Sequence, residues 1–182
     1  GYSHEDAMNY AVVGCVELSV PGNALGFSDA GMFNMVKCLE LTLNDGVCME
    51  TGKQLDLKLG TLEDFKTFEE LEEAYKKQMY YFLEKMETGL QIIEEMHQKY
   101  MVSPMLSSVI DNCMERGVDV TAGGAVYNKS GVQLIQVANV ADSMAALTEL
   151  VYEKKEVSAK ELLEQLRQNY PDERTRQTML TH

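Results

Sequence analysis

One stretch limits the fold more than any other. Leu71, Tyr75, Met79, Phe82, Met86, Leu90, Ile93 and His97 recur at spacings of four and three. That period marks one face of an α-helix. Thr67-Phe68-Glu69-Glu70, just before it, reads as a capping box. The spacing therefore predicts a single long amphipathic helix, on the order of 50 Å at 1.5 Å per residue. Its other face is rich in Glu and Lys, which reads as a solvated surface. The Met and Tyr stripe reads as core.

The flanking segments carry a different signal. "AVVGCV" (Ala11 to Val16) is a short apolar run with adjacent valines, suited to a strand buried on both faces. Gly14 breaks it before Cys15, and Pro21-Gly22 marks a turn after it, so Cys15 is expected at a strand end or loop tip. Ser28 is expected to cap a helix with Asp29 in its first turn and a stripe of Met32, Val36, Leu39 and Leu43, ending near Asn44-Asp45-Gly46. Residues 46 to 66 hold Gly46, Gly52 and Gly60 without a helical period and read as loop with short extended pieces. Ser103-Pro104 starts a helix expected to reach about Arg116. Gly123-Gly124 reads as a tight crossing point, "AVYN" as a strand, and "GVQLIQ" as another before a helix from near Asn139. Ser158-Ala159-Lys160-Glu161 is a second capping box, and Pro171 opens a last helix. Helices alternating with short buried strands define an α/β class.

Composition excludes several functions. The 182 residues are 45% apolar and 25% charged, a globular balance long enough to bury a core. A net charge of −13 argues against nucleic acid, whose phosphates demand a basic surface, and against an anionic membrane. No apolar run is long enough to span a bilayer and no basic-then-apolar leader opens the chain, so the expected location is cytoplasmic. Cys15, Cys38, Cys48 and Cys113 form no Cys-x-x-Cys pair, and His4, His97 and His182 are not spaced as ligands, so no metal site is expected. Thiols of a cytoplasmic chain are expected to stay reduced. The chain starts at Gly1, and "RTRQTMLTH" stops within a helical pattern; the expectation is an internal piece of a larger protein.

The "GCVELSV" run holds the chemical question. A thiol and a carboxylate stand two positions apart among apolar residues, and a carboxylate there is costly without hydrogen bonds or a proton to share. Alternation would place both side chains on one side if the loop stays extended. A lone apolar-flanked cysteine is by itself a small core hydrophobe.

Three further stretches decide between these readings. "GCVE" (Gly14 to Glu17) resembles the cysteine motif of glycyl radical enzymes, the family that includes pyruvate formate-lyase. "GGAVYN" (Gly123 to Asn128), "ANVADSMAAL" (Ala138 to Leu147) and "AKELLEQLRQNY" resemble later family segments in the right order. The resemblance covers essentially the whole chain and implies that residues 1–182 are part of a catalytic domain truncated at both ends. It implies a fold, the C-terminal part of a ten-stranded barrel ringed by helices, with the loop cysteine inside. It implies a mechanism in which an iron–sulfur, S-adenosylmethionine-dependent activase installs a radical on a C-terminal glycine. That radical oxidises the cysteine, here Cys15, to a thiyl radical. No cofactor is bound directly, and a homodimer is implied for the full-length protein.

Sulfur suits such hydrogen-atom transfer because its S–H bond is comparable in strength to an activated C–H bond. Glu17 then serves as general base on a substrate hydroxyl beside the radical carbon. Deprotonation gives a ketyl-type radical that expels a neighbouring leaving group readily. Cys38, Cys48 and Cys113 are expected to be structural.

The branch follows from the neighbours. Pyruvate formate-lyase is expected to carry two adjacent cysteines, whereas Gly14 precedes Cys15 here. The Cys-x-Glu form resembles the eliminating branch, and "CVELSVPG" followed by Asp29 is most similar to the B12-independent glycerol and propanediol dehydratases. The resemblance implies that a carboxylate at Asp29 binds a substrate hydroxyl; as a residue, Asp29 is equally a helix-start carboxylate. Those dehydratases tend to have His before that Asp, where this chain has Ser28. No segment resembles the Arg-Val-x-Gly-Tyr motif of the radical glycine, so the chain alone is expected to be inactive. The expected function is a radical lyase of dehydratase type acting on a small hydroxylated substrate. The alternatives are a C–N, C–S or decarboxylating eliminase, and a non-catalytic acidic, helix-rich interaction module.

Overall fold

The computed structural model describes residues 1–15, 17–55 and 57–181, and only the backbone of residues 26 and 27. The chain runs α1 (His4–Met8), β1 (Ala11–Val13), β2 (Glu17–Ser19), β3 (Ala24–Asn34), α2 (Met35–Leu43) and α3 (Phe68–Tyr100). It continues with α4 (Pro104–Ser107), α5 (Cys113–Arg116), a 3-10 turn (Val120–Ala122), β4 (Tyr127–Ile135), α6 (Val137–Leu147), a π-helical segment (Thr148–Glu153), α7 (Ala159–Arg167) and α8 (Glu173–Leu180). This is an α/β structure. Its strands form two two-stranded sheets, β1 with β2 and β3 with β4. Among the described residues they close no barrel.

The chain divides into two compact units. The first comprises residues Gly1–Phe33 and Glu84–Gln133. Its hairpin pairs Ala11 with Ser19, Val12 with Leu18 and Val13 with Glu17 in antiparallel register. A small core of Cys113, Val120 and Ala125, joined by Leu25 and Ile110, supports the loop before β4. Gly124 is the tight point of that loop. A Cβ on it would lie 2.1 Å from the Val118 carbonyl oxygen and 2.8 Å from Cys113 Sγ. Glycine is the residue that permits such an approach.

The second unit comprises Asn34–Leu83 and Leu134–His182. Its core includes Leu39, Leu41 and Leu43 of α2, Leu71 and Tyr75 of α3, Leu147 of α6, and Leu162 and Leu163 of α7. Arg167 donates to Asn44 Oδ1 through Nη2 at 2.7 Å, tying α7 to the turn after α2.

Several expectations hold. The long helix runs from Phe68 to Tyr100, and Thr67 Oγ1 accepts from the Glu70 amide. The Glu70 carboxylate accepts from the Lys66 amide, one residue earlier than an ideal capping box. Ser158 caps α7 through the Glu161 amide at 3.2 Å. The last helix follows Pro171, capped by Asp172. Residues 46–66, with Asp56 outside the described residues, form a loop with short bridges.

Four expectations are corrected. Residues 28–34 are strand, not helix; α2 starts at Met35, where Asn34 Oδ1 accepts from the Lys37 amide. Pairing with β4 overrides the local cap signal, and Gly31 sits where a Cβ would come 3.0 Å from Met86 Cε. The helix expected from Ser103 to Arg116 is two short helices separated by the turns of residues 108–112, where Asn112 has a φ of +76°. Asn112 Nδ2 instead donates to the Gly124 carbonyl at 3.0 Å. The two strands expected in "AVYN" and "GVQLIQ" are one, β4, which takes in Tyr127-Asn128 and residues 131–135 but not Ala125, Val126 or Gln136. The apolar run at 11–16, of which Val16 lies outside the described residues, is no doubly buried strand, because a two-stranded hairpin brings no second layer of its own. Val12 is 57% and Val13 47% exposed.

Candidate active site

The β1–β2 hairpin turns at Gly14-Cys15, with Gly14 at φ +64°. Left-handed backbone of this kind is strained for any residue with a Cβ. Cys15 stands at this tip as a free, exposed thiol. Val16, which separates Cys15 from Glu17, lies outside the described residues. The carboxylate of Glu17 folds back over Gly14: a Cβ there would lie 2.5 Å from Glu17 Oε2. The other oxygen, Oε1, accepts a 2.7 Å hydrogen bond from Gln133 Nε2 on β4. Glu17 is half-buried.

The base of the hairpin is fastened to the same strand. The Tyr2 hydroxyl donates to the Leu18 carbonyl at 3.2 Å. Asp6 accepts from the Tyr127 hydroxyl at 2.6 Å and from Asn23 Nδ2 at 2.8 Å. Hydrogen bonds from Ser3 first, then Tyr127, hold its carboxyl below the ordinary carboxylate range. The Tyr127 amide donates to the Asn23 carbonyl at 3.0 Å. Tyr2 and Tyr127 meet edge to face with ring centroids 4.8 Å apart. Tyr127 and Gln133 occupy the same face of β4 by strand alternation, about 20 Å apart at 3.3 Å per residue. One strand thus braces the hairpin at its base and at its tip.

Cys15 and Glu17 share the hairpin tip, whereas Asp29 lies on β3 and is exposed. Its strand position removes the helix-start reading of Asp29. Gln133, Asp6 and Tyr127 were not singled out by the sequence. No sequence signal marks Gln133, since its apolar neighbours Val132 and Leu134 take the exposed face of β4 while Gln133 is half-buried. Cys38, Cys48 and Cys113 are buried free thiols. Among the described residues no group of three or more His, Cys, Asp or Glu is arranged to hold a metal; His182 lies outside them. No helix among them is long and apolar enough to cross a membrane.

A braced hairpin with a thiol at its tip and a carboxylate folded against it can exchange a hydrogen atom at one residue and a proton at the other. Comparison with known proteins gives the class. The model of the pyruvate formate lyase-like family matches residues 1–182, and the chain belongs to that family. It is 36% identical over 170 residues to (2S)-3-sulfopropanediol dehydratase of Klebsiella oxytoca, covering 93% of this chain and 21% of that protein. It is 35% identical over 170 residues to trans-4-hydroxy-L-proline dehydratase of Clostridioides difficile, with the same coverage. The relatives also include isethionate sulfite-lyases. The solved structure of the glycerol-bound B12-independent glycerol dehydratase from Clostridium butyricum matches with a TM-score of 0.93 at 36% identity. The match covers 99% of this chain and 23% of that one. The structural neighbours are glycyl radical enzymes. The chain spans about a fifth of the length of the curated relatives it matches.

Proposed function

We propose that this chain carries the cysteine-hairpin portion of a glycyl radical eliminase of dehydratase type, acting on a small hydroxylated substrate. The observation that carries the reading is the tip itself, an exposed thiol two positions from a carboxylate that is bonded by Gln133 and lies over Gly14. Support comes from the named relatives, which are dehydratases of a sulfopropanediol, a hydroxyproline and glycerol. When a glycyl radical elsewhere in the polypeptide is present, installed by a radical S-adenosylmethionine activase, it supplies the oxidising equivalent. An exposed thiol on a hairpin tip fits that demand, since Cys15 has to meet a group from another segment.

The steps belonging to this chain balance as follows. The Cys15 thiyl radical takes a hydrogen atom from the hydroxyl-bearing carbon of the substrate. Glu17 accepts the proton of that hydroxyl, giving a ketyl-type radical. The neighbouring hydroxyl leaves as water with a proton returned to it. The product radical then recovers a hydrogen atom from the Cys15 thiol. The net conversion is a vicinal diol to a carbonyl compound and water. Asp29 accepts a hydrogen bond from a substrate hydroxyl and so selects polyol-like substrates. A small-molecule substrate, the activase and a second copy of the complete polypeptide are the proposed partners, in the cytoplasm.

The test is mutational, in the complete activated enzyme. Cys15→Ser abolishes turnover, because a hydroxyl O–H is too strong a bond for reversible hydrogen-atom exchange. Glu17→Gln slows elimination by about 10²- to 10⁴-fold, the usual share of a positioned base. An acidic interaction module would tolerate both changes. Full activity in Cys15→Ser would remove the radical reading.

A further inference from the structure

We propose that Gln133 is a positioning residue for Glu17: it anchors the carboxylate at the hairpin tip and keeps it ionised, ready to take the substrate proton. The inference rests on the eliminase reading and extends it to a residue on another element. Its first support is geometric. Gln133 Nε2 donates to Glu17 Oε1 at 2.7 Å across 116 positions of sequence. The hairpin strands are only three residues each, whereas β4 runs nine residues and pairs with β3. A short hairpin is a poor platform for a base that must sit in place, and sites on longer paired strands are held more closely.

The second support is on the other oxygen. Oε2 lies against the backbone of Gly14, where a Cβ would come to 2.5 Å. With Oε1 bonded to β4, Oε2 lies over the turn that presents Cys15. The third support is chemical. A hydrogen bond to an ionised carboxylate favours the charged form. A neutral amide does so without the charge of an Arg or Lys, which would weaken the base far more. Gln133 thus holds an ionised base that can still accept a proton. The bond formed and broken is the substrate O–H to Glu17; Gln133 itself exchanges nothing.

The experiment uses the complete enzyme and compares the parent with Gln133→Leu, Gln133→Glu and Cys15→Ala. Gln133→Leu is expected to lower kcat about tenfold with KM little changed, the size of one lost hydrogen bond. The acidic limb of the kcat/KM profile moves to higher pH, because the ionised carboxylate has lost a donor. Near-isosteric Gln133→Glu moves that limb further, since a second carboxylate faces the first. A readout independent of turnover is the carboxyl ¹³C signal of unactivated protein that Glu17→Gln removes: it titrates at higher pH in both Gln133 variants. An unmoved limb and an unmoved ¹³C titration in a folded Gln133→Glu protein would overturn the inference. Turnover by Cys15→Ala equal to the parent would instead overturn the eliminase reading, leaving the ¹³C titration to judge the Gln133–Glu17 coupling on its own.

Discussion

The backbone of Gly14 and the carboxylate of Glu17 occupy adjoining space, and that contact separates stability from activity. Gly14→Ala places a methyl group 2.5 Å from Glu17 Oε2 at a φ of +64°. The side chain of Glu17 is flexible enough to swing aside, so thermal unfolding should report a loss of only about 1 kcal/mol, the left-handed backbone term. Activity of the complete enzyme should fall at least tenfold, because the displaced carboxylate leaves the tip. Equal losses in stability and activity would contradict this separation. The sequence exposed Cys15 and Glu17 because both sit in one short motif, and glycine before cysteine announced the turn. Gln133 was not legible, because its partner lies 116 positions away and nothing local distinguishes it from any half-buried strand glutamine. The setting of Asp29 was not legible: a serine before an aspartate signals a helix start, and strand pairing outweighed it.

At the scale of elements, the segment between α4 and β4 is held by polar contacts that a helical pattern does not announce. Hydrogen bonds from Thr121 foremost, and from Ser107 and Ser103, hold the Asp119 carboxyl at about 2, below its ordinary value of 3.8. A carboxyl with a depressed folded-state pKa stabilises the fold above its unfolded pKa and loses that contribution as pH falls through the folded one. Melting temperature is therefore expected to drop as pH goes from about 4 toward about 2, and Asp119→Asn is expected to remove that part of the dependence while lowering stability at neutral pH. An unchanged profile in Asp119→Asn would assign the acid sensitivity elsewhere. Gly124→Ala acts on the same loop. Its Cβ would sit 2.1 Å from a backbone oxygen, which cannot rotate away as a side chain can. A loss of about 2 kcal/mol or more in denaturant unfolding is expected. The long helix α3 was legible because its period is sustained for many turns. The turns of residues 108–112 were not, because the left-handed Asn112 there is bonded to the Gly124 carbonyl, a partner that no local pattern announces.

At the scale of the whole molecule, membership of the pyruvate formate lyase-like family and a length of about a fifth of the matched relatives support the proposal that this chain is one portion of a radical enzyme. Exposed Val12, Val13 and Leu18 on the hairpin and Leu134 on β4 fit that reading, since strands this apolar are ordinarily covered. The order of family segments was readable from end to end because each is a contiguous run. The ten-stranded barrel that the resemblance implies is not seen among the described residues, whose strands form two two-stranded sheets. The most direct test of the central claim follows Cys15 through one turnover. Activated complete enzyme is given 1,2-propanediol, glycerol or 3-sulfopropanediol deuterated at the hydroxyl-bearing terminal carbon, and the carbonyl product is analysed for deuterium. Carbonyl product with deuterium moved to the neighbouring carbon in the parent, and none in Cys15→Ala, is the predicted result. Product formation by Cys15→Ala at the parental rate, or no elimination from any of the three substrates, would contradict it.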